Sequence, residues 1–231
     1  MNKMVVNPWL SVSPCGPISV AGENDLIHLR QGDLDGACGP YSLVMALITL
    51  GVISREEAIN MDELDGRTRE GKFRDKLLAF GSLLSDGTDD MDLEWLAETF
   101  KGSGISCESL EFPRKGKKPI YQIAESVHDY SIPVLGVDWE GGSGHWLIVV
   151  GYQGFQLDDD DSLQVTHLLC LDPSSEAPRV SLWNSVIEVF QEDGEYVNEG
   201  RYYCKHWGGD GYPSNCRIVS SVIVNRDMSK M

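Results

Sequence analysis

The feature that most constrains the fold of this chain is a change of pattern near residue 130. Before it, polar loops alternate with amphipathic stretches that carry helix caps and stops, such as a helix over 38–50 followed by Gly51. After it come apolar runs rich in β-branched residues, which predict strands. The predicted strands are 132–139, 145–152, 165–171 and 218–225. Helices that are segregated from strands in this way predict an α+β fold with an antiparallel sheet.

The net charge of the chain argues against two classes of binding partner, nucleic acids and anionic membranes. Its 231 residues carry 36 acidic and 19 basic side chains, for a net charge of −17. Such a surface repels the phosphates of nucleic acids and the headgroups of anionic membranes. We therefore expect neither a nucleic acid nor a membrane as partner. A basic peptide or protein substrate would be attracted, although the charge is equally explained by solubility alone.

The apolar segments are too short for a membrane span, which needs about 18 consecutive apolar residues. Residues 1–10 lack the apolar run of a secretory signal peptide. We therefore expect a cytoplasmic location, although export by a route that leaves no cleaved signal stays open.

The cysteines are scattered and form no Cys-x-x-Cys pair, so we expect most of them to be free thiols in a reducing compartment. Cys204, His206 and Cys216 lack a fourth ligand at the usual zinc spacing. We therefore expect no metal and no cofactor.

A cysteine stands where a polar, glycine-containing loop enters an apolar helix, within segment 31–47. Pro40 is tolerated only in the first turn of a helix, so Cys38 lies near the helix N-terminus. The helix dipole and the unpaired N–H groups there favour a thiolate, which is the nucleophilic form of cysteine. Taken alone, Cys38 fits a buried structural cysteine equally well, because cysteine is among the residues most often buried.

Two further polar residues stand at predicted strand ends. His145 follows the glycine-rich segment 141–144 and begins a strand, where an imidazole can act as a base near neutral pH. Asp172 ends a strand before Pro173 and could orient that imidazole. An ordinary strand-start histidine and a simple Asp-Pro turn are the alternatives. Together, however, the three residues follow the order nucleophile, base and orienting acid of thiol catalysis.

Three segments, 31–47, 144–152 and 171–173, resemble the papain-like cysteine peptidase superfamily. The similarity is closest to its bacterial branch of double-glycine-leader (bacteriocin-processing) peptidases. Members of that branch show a Gln, then Cys-Gly-Pro at the start of a helix, a later Gly-His before an apolar strand, and an Asp-Pro after the next strand. This resemblance implies a papain-like α+β fold in one catalytic domain over 1–231. Its mainly helical lobe, 31–130, would pack the nucleophile helix on a mainly antiparallel β-sheet lobe, 131–231.

The resemblance also implies a role for each site residue. Cys38 is the nucleophile, His145 the general base and acid, and Asp172 the residue that orients His145. Gln31 supplies a side-chain donor to the oxyanion hole, together with the backbone N–H of Cys38. Gln31 lies one residue further from the cysteine than is usual in the family. Either the loop bulges by one residue or Gln31 is not the donor.

The implied function is a cysteine peptidase that hydrolyses a peptide or isopeptide bond through a thioester acyl-enzyme. The same triad serves glutamine deamidases and transglutaminase-like acyl transferases, including bacterial effectors, so that chemistry is the first alternative. An inactive peptidase-like binding module is the second. Among the other polar residues, we expect His28 and His128 at the surface.

Overall fold

The computed structural model describes residues 2–32, 36–80, 87–140, 142–156, 163–204 and 213–230. Its α-helices are α1 (Cys38–Thr49), α2 (Arg55–Ile59), α3 (Arg69–Ala79), α4 (Asp90–Ala97) and α5 (Lys118–His128). Its strands are β1 (Asn2–Val6), β2 (Leu10–Ser13), β3 (Gly16–Ser19), β4 (Ile105–Glu111), β5 (Ile132–Trp139), β6 (Gly144–Gln156), β7 (Leu163–Leu171), β8 (Ser185–Glu192), β9 (Glu195–Cys204) and β10 (Ser214–Arg226). Short 3-10 helices cover Met61–Glu63, Glu98–Ser103 and Met228–Lys230.

The local helix signals act as their chemistry predicts. Helix α1 begins at Cys38, and the chain leaves it through Gly51, whose φ of 64° favours glycine. Ser54 and Asp89 each form a capping box, which satisfies backbone N–H groups in the first turns of α2 and α4. The predicted helix over 38–50 is therefore confirmed to within one residue.

The predicted strands are confirmed as parts of β5, β6, β7 and β10. The first 30 residues, despite their prolines and glycines, also contain strands. Strand β1 pairs with β6, and β2 pairs with β3. The segment 180–190, which fits either a helix or a strand by its pattern, enters strand β8 at Ser185.

The predicted papain-like α+β architecture, a helical lobe packed on an antiparallel sheet lobe, is wrong. Strands β5, β10, β9, β8, β7 and β6 pair in that order, and β6 also pairs with β5. They form a closed six-stranded antiparallel β-barrel, and the described residues are 40% strand and 29% helix. Strands β1 and β4 extend the barrel by pairing with β6 and β10.

Closure depends on two long strands that change partner along their length. On one edge, the first part of β10 pairs with β9 and its last part with β4. On the other edge, β10 pairs with β5. The register of β6 shifts between Val149 and Gly151, and that of β10 between Ile218 and Ser220. Such irregularities bend a strand and increase its twist, as barrel closure requires. Alternating hydrophobicity predicts a strand but not its partners, so the sequence did not reveal the barrel.

Two apolar clusters share the barrel wall, because successive strand residues point to opposite faces. Leu135 and Leu147 belong to the cluster inside the barrel, which the apolar face of α5 completes. Val134 and Ile148 belong to the cluster between the wall and α1. Strand β5 is therefore buried on both faces, which explains its continuous apolar run. In the described part of the chain, no helix has the length and apolar character to cross a membrane.

Candidate active site

Three predicted site residues meet at one end of the barrel. His145 is the second residue of β6, and Asp172 directly follows β7. Because β6 and β7 are antiparallel neighbours, the start of one lies beside the end of the other. Helix α1 packs against β6, and its N-terminus brings Cys38 to the same end. The described structure thus places residues that are far apart in sequence within hydrogen-bonding reach.

His145 bridges the other two residues. Its Nε2 lies 2.8 Å from Oδ1 of Asp172. The ring also forms a hydrogen bond with Cys38, and Nδ1 is the nitrogen left for it. All three side chains are buried: the exposed fraction is 8% for Cys38, 9% for His145 and 1% for Asp172. The arrangement is that of a thiol, an imidazole and an orienting carboxylate.

The electrostatics favour a charged imidazole. Burial alone lowers the pKa of His145, but its hydrogen bonds to Asp172 and Cys38, and their charges, raise it to about 10. Burial raises the pKa of Asp172, but the hydrogen bond and charge of His145, with help from Tyr202 and Ser174, lower it to about 2. At neutral pH the pair is therefore an imidazolium and a carboxylate.

The carboxylate of Asp172 has further donors that the sequence did not point to. Oδ1 accepts hydrogen bonds from the backbone N and the hydroxyl of Ser174, each at 2.7 Å. Oδ2 accepts a hydrogen bond from the phenol of Tyr202, on β9. Ser174 could have been found, because an Asp often bonds the backbone two residues on in a turn. Tyr202 has no such local signal.

Asn184 holds the backbone of Asp172. Its Oδ1 accepts from the Asp172 N at 2.7 Å, and its Nδ2 donates to the Asp172 carbonyl at 2.9 Å. Asn184 is 3% exposed, so these bonds are shielded from water. Asn184 and Tyr202 both lie beyond residue 173, so the C-terminal segment forms part of the site.

Trp139 covers one side of the histidine. Its ring lies nearly parallel to that of His145, with centroids 6.1 Å apart and an interplanar angle of 28°. Its other contact is edge-to-face with Tyr202, at 4.7 Å between centroids. Trp146 instead packs in the core and donates from Nε1 to the Thr88 carbonyl at 2.8 Å.

Gly39, next to Cys38, is required by packing. A Cβ built at this position would lie 2.1 Å from Thr88 Oγ1 and 3.1 Å from Trp146 Cδ1. No side chain fits there without displacing these neighbours. The close approach lets the loop that carries Thr88 pack against the first turn of α1.

Gln31 is tied to the loop of Asp172 by its backbone. Its N donates to the carbonyl of Pro173 at 2.9 Å. Its side-chain Oε1 is buried and has no hydrogen-bond partner among the described residues. The role of Gln31 as oxyanion donor stays a prediction.

His28 is not at the surface as expected, since only 6% of it is exposed. Its Nε2 donates to the carbonyl of Asp172 at 3.0 Å. Burial lowers the pKa of His28, with the nearby Arg55 adding to this and Asp172 opposing it. His28 is therefore a neutral imidazole behind the Asp172 main chain. His128 is exposed, as expected.

One open cavity reaches the histidine, and a second lies beside its neighbour Trp139. One of about 210 Å³ is lined by His145, Gly144 and Thr88. The other, of about 530 Å³, lies beside Trp139 and is lined also by Phe190 and Glu199.

Metal ligands do not cluster in the described part of the chain, where no group of three or more His, Cys, Asp or Glu side chains could hold an ion. Of the zinc candidates weighed above, His206 lies outside the described residues.

Comparison with known proteins does not supply a family. No family model matches the chain, and no curated protein matches it.

Proposed function

We propose that the protein is a cysteine peptidase, with Cys38 as nucleophile, His145 as acid and base, and Asp172 as orienting acid. The observation that carries the proposal is the buried histidine that bonds Asp172 through Nε2 at 2.8 Å and Cys38 through its other side. A purely structural cysteine has no need of a buried ion pair beside it. The similarity of the three sequence segments to papain-like peptidases supports the same chemistry.

The first half of the reaction follows from these positions. The Cys38 sulfur attacks the substrate carbonyl carbon, and the negative oxygen that forms is stabilised by the Cys38 N–H at the start of α1. The N-cap residue Ala37 forms no side-chain cap, and the first N–H groups of a helix have no partner within the helix. The Gln31 amide would add a second donor. His145, charged at neutral pH, gives its proton to the departing amine, and a thioester remains on Cys38.

The second half returns the enzyme to its starting state. The neutral His145 accepts a proton from water, whose oxygen attacks the thioester. The carboxylic acid leaves, the sulfur regains its negative charge, and His145 keeps the proton. Asp172 stabilises the charged ring in both halves. If an amine replaces water, the same steps give acyl transfer, and if the acyl donor is a glutamine side chain, ammonia leaves.

The first experiment is alkylation of Cys38 by iodoacetamide as a function of pH, followed by mass spectrometry. We expect rapid labelling at pH values near 5 that His145→Ala abolishes, because the imidazolium stabilises the thiolate. Cys15 is exposed and provides an accessible thiol as internal control. Burial raises the pKa of Cys107 and of Cys216 to about 12 each, so these thiols should remain unlabelled. Labelling of Cys38 only near pH 8.5, where ordinary thiols ionise, would contradict an activated nucleophile.

The second experiment identifies the reaction. A peptide library is incubated with the protein, and new termini and released ammonia are measured in parallel. New termini that disappear with Cys38→Ala support a peptidase, whereas ammonia without cleavage supports a deamidase. An activated Cys38 without either product would favour a binding module. The cytoplasmic location and the peptide or protein partner stay predictions.

A further inference from the structure

The two oxygens of Asp172 have different partners. Oδ1 accepts from His145 and twice from Ser174. Oδ2 accepts from Tyr202. The terminal torsion of an aspartate is broad and roughly two-fold, so the carboxylate can rotate unless both oxygens are held. The bonds from His145 and Ser174 restrain only Oδ1 of Asp172 and leave Oδ2 unrestrained.

We propose that Tyr202 is a positioning residue for the proposed catalytic pair, whose phenol holds Asp172 so that Oδ1 faces His145. The inference deepens the proposed function, because it assigns a role in the triad to the C-terminal strand β9. Tyr202 touches neither Cys38 nor a substrate carbonyl. It acts through Asp172.

Tyr202 is itself held rigidly. It is 9% exposed, and it pairs in register with Ile187 on β8 and Ser214 on β10. The rings of Trp139 and Tyr202 make an edge-to-face contact, with their centroids 4.7 Å apart. A side chain fixed by two neighbouring strands and an aromatic contact loses little further freedom when it donates a hydrogen bond.

The phenol remains a donor over the working pH range. Burial and the negative charge of Asp172 both raise the pKa of Tyr202, so the proton stays on its oxygen. A hydrogen bond to a buried carboxylate is stronger than one between neutral groups. It also stabilises the charged form of the acid, so its loss makes Asp172 easier to protonate. The other titratable groups near Asp172 are His145, His28 and Cys170.

The test compares Tyr202→Phe with Tyr196→Phe. Tyr196 lies on the same strand, is 1% exposed, and accepts a hydrogen bond from the Val165 N at 2.7 Å. Each variant removes one buried hydroxyl, but only Tyr202 bonds Asp172. The readout is the NMR titration of the His145 ring toward low pH, where protonation of Asp172 changes its signals. This readout does not require catalysis.

We expect the low-pH inflection of the His145 signals to move up by about one to two pH units in Tyr202→Phe, since charged hydrogen bonds contribute about 1.5–3 kcal/mol. In Tyr196→Phe it should not move. For cleaved substrates, kcat should fall roughly tenfold in Tyr202→Phe with little change in KM, because the loss is in alignment and not in binding. An unmoved inflection, or an equal shift in both variants, overturns the inference.

A second variant covers the case in which Tyr202→Phe does not fold. Fluorotyrosine placed at position 202 keeps the ring and the hydroxyl but is a stronger donor, so the inflection should move down. No downward shift would overturn the inference. If the expected shifts occur but no peptide is cleaved, the positioning role holds and the peptidase proposal fails.

Discussion

Two buried histidines bond different atoms of Asp172, and they have opposite acid–base behaviour. His145, at the start of β6, bonds the carboxylate, and its pKa is raised to about 10. His28, in the segment before α1, bonds the carbonyl of the same residue, and its pKa is lowered. Both rings are less than 10% exposed, so burial alone does not explain the difference. At His145, the negative charge of the carboxylate compensates for the desolvation of an imidazolium. At His28, the carbonyl dipole is too weak to do so, and the positive charge of Arg55 opposes a charged ring.

The two histidines differ in role: His145 belongs to the proposed catalytic site, whereas His28 supports the main chain around Asp172. In the proposed mechanism, His145 holds a proton beside Cys38. The region of His28 joins the chain before α1 to the loop of Asp172, together with the bond from Gln31 N to the Pro173 carbonyl. Changes at the two histidines should therefore differ in kind, activity for one and stability for the other.

The largest effect is expected from His145→Ala. Removing the proton donor should lower kcat/KM by roughly 1,000-fold or more and abolish alkylation of Cys38 at pH 5, because both need the imidazolium. Peptide cleavage and mass spectrometry measure the two effects. His28→Ala is the control and should retain the alkylation profile. A His28 variant as inactive as the His145 variant, yet folded, would break the comparison.

Asp172→Asn should have the next largest effect. The amide keeps the shape of the side chain but not its charge, so the pKa of His145 should fall from about 10 toward its ordinary 6.5. We expect kcat/KM to drop by about 10- to 100-fold, with the alkaline limb of the pH profile moved to lower pH. NMR titration of the ring provides an independent measurement. An unchanged pKa of His145 would show that its charge does not depend on Asp172.

Asn184→Ala tests the support of the Asp172 backbone. The change leaves the buried N–H of Asp172 without its acceptor, which should lower the free energy of unfolding by about 1–3 kcal/mol. Urea denaturation measures this loss. The exposed Asn215, at the same end of the barrel, is the matched control, and Asn215→Ala should change stability by less than about 0.5 kcal/mol. Equal losses in both variants would argue against the role of Asn184.

The smallest expected effect is on the pH dependence of stability, where the two histidines should act in opposite directions. The pKa of His28 is lowered in the fold, so its contribution is present above pH 6.5 and is lost as the pH falls below that value. The pKa of His145 is raised, so its contribution is present below pH 6.5 and is lost as the pH rises toward about 10.

His28→Gln should therefore flatten the acid side of the stability profile, and His145→Gln the alkaline side. Chemical denaturation at a series of pH values measures both. If the two variants changed the same side of the profile, the opposite protonation states of the two histidines would be disproved.

Much of the local structure could be predicted because it depends on neighbours in sequence. Gly51 ends α1 through its own backbone freedom, and Ser54 caps α2 through an atom three residues away. The β-branched runs form strands for the same local reason. The candidate triad could be named because Cys38, His145 and Asp172 each occupy the end of a predicted element. Their joint contact, however, required the folded chain.

Local sequence patterns predicted several of the helices and strands and the three residues of the candidate triad. Only the tertiary structure decided that the strands close into a barrel, that His28 is buried, and that Tyr202 and Asn184 hold Asp172. The physical reason is the range of the interactions. Caps, turns and alternation act over a few residues, whereas strand pairing and the environment of a buried charge join residues far apart in the chain. Asp172 and Tyr202, 30 residues apart, meet only because β7, β8 and β9 lie side by side.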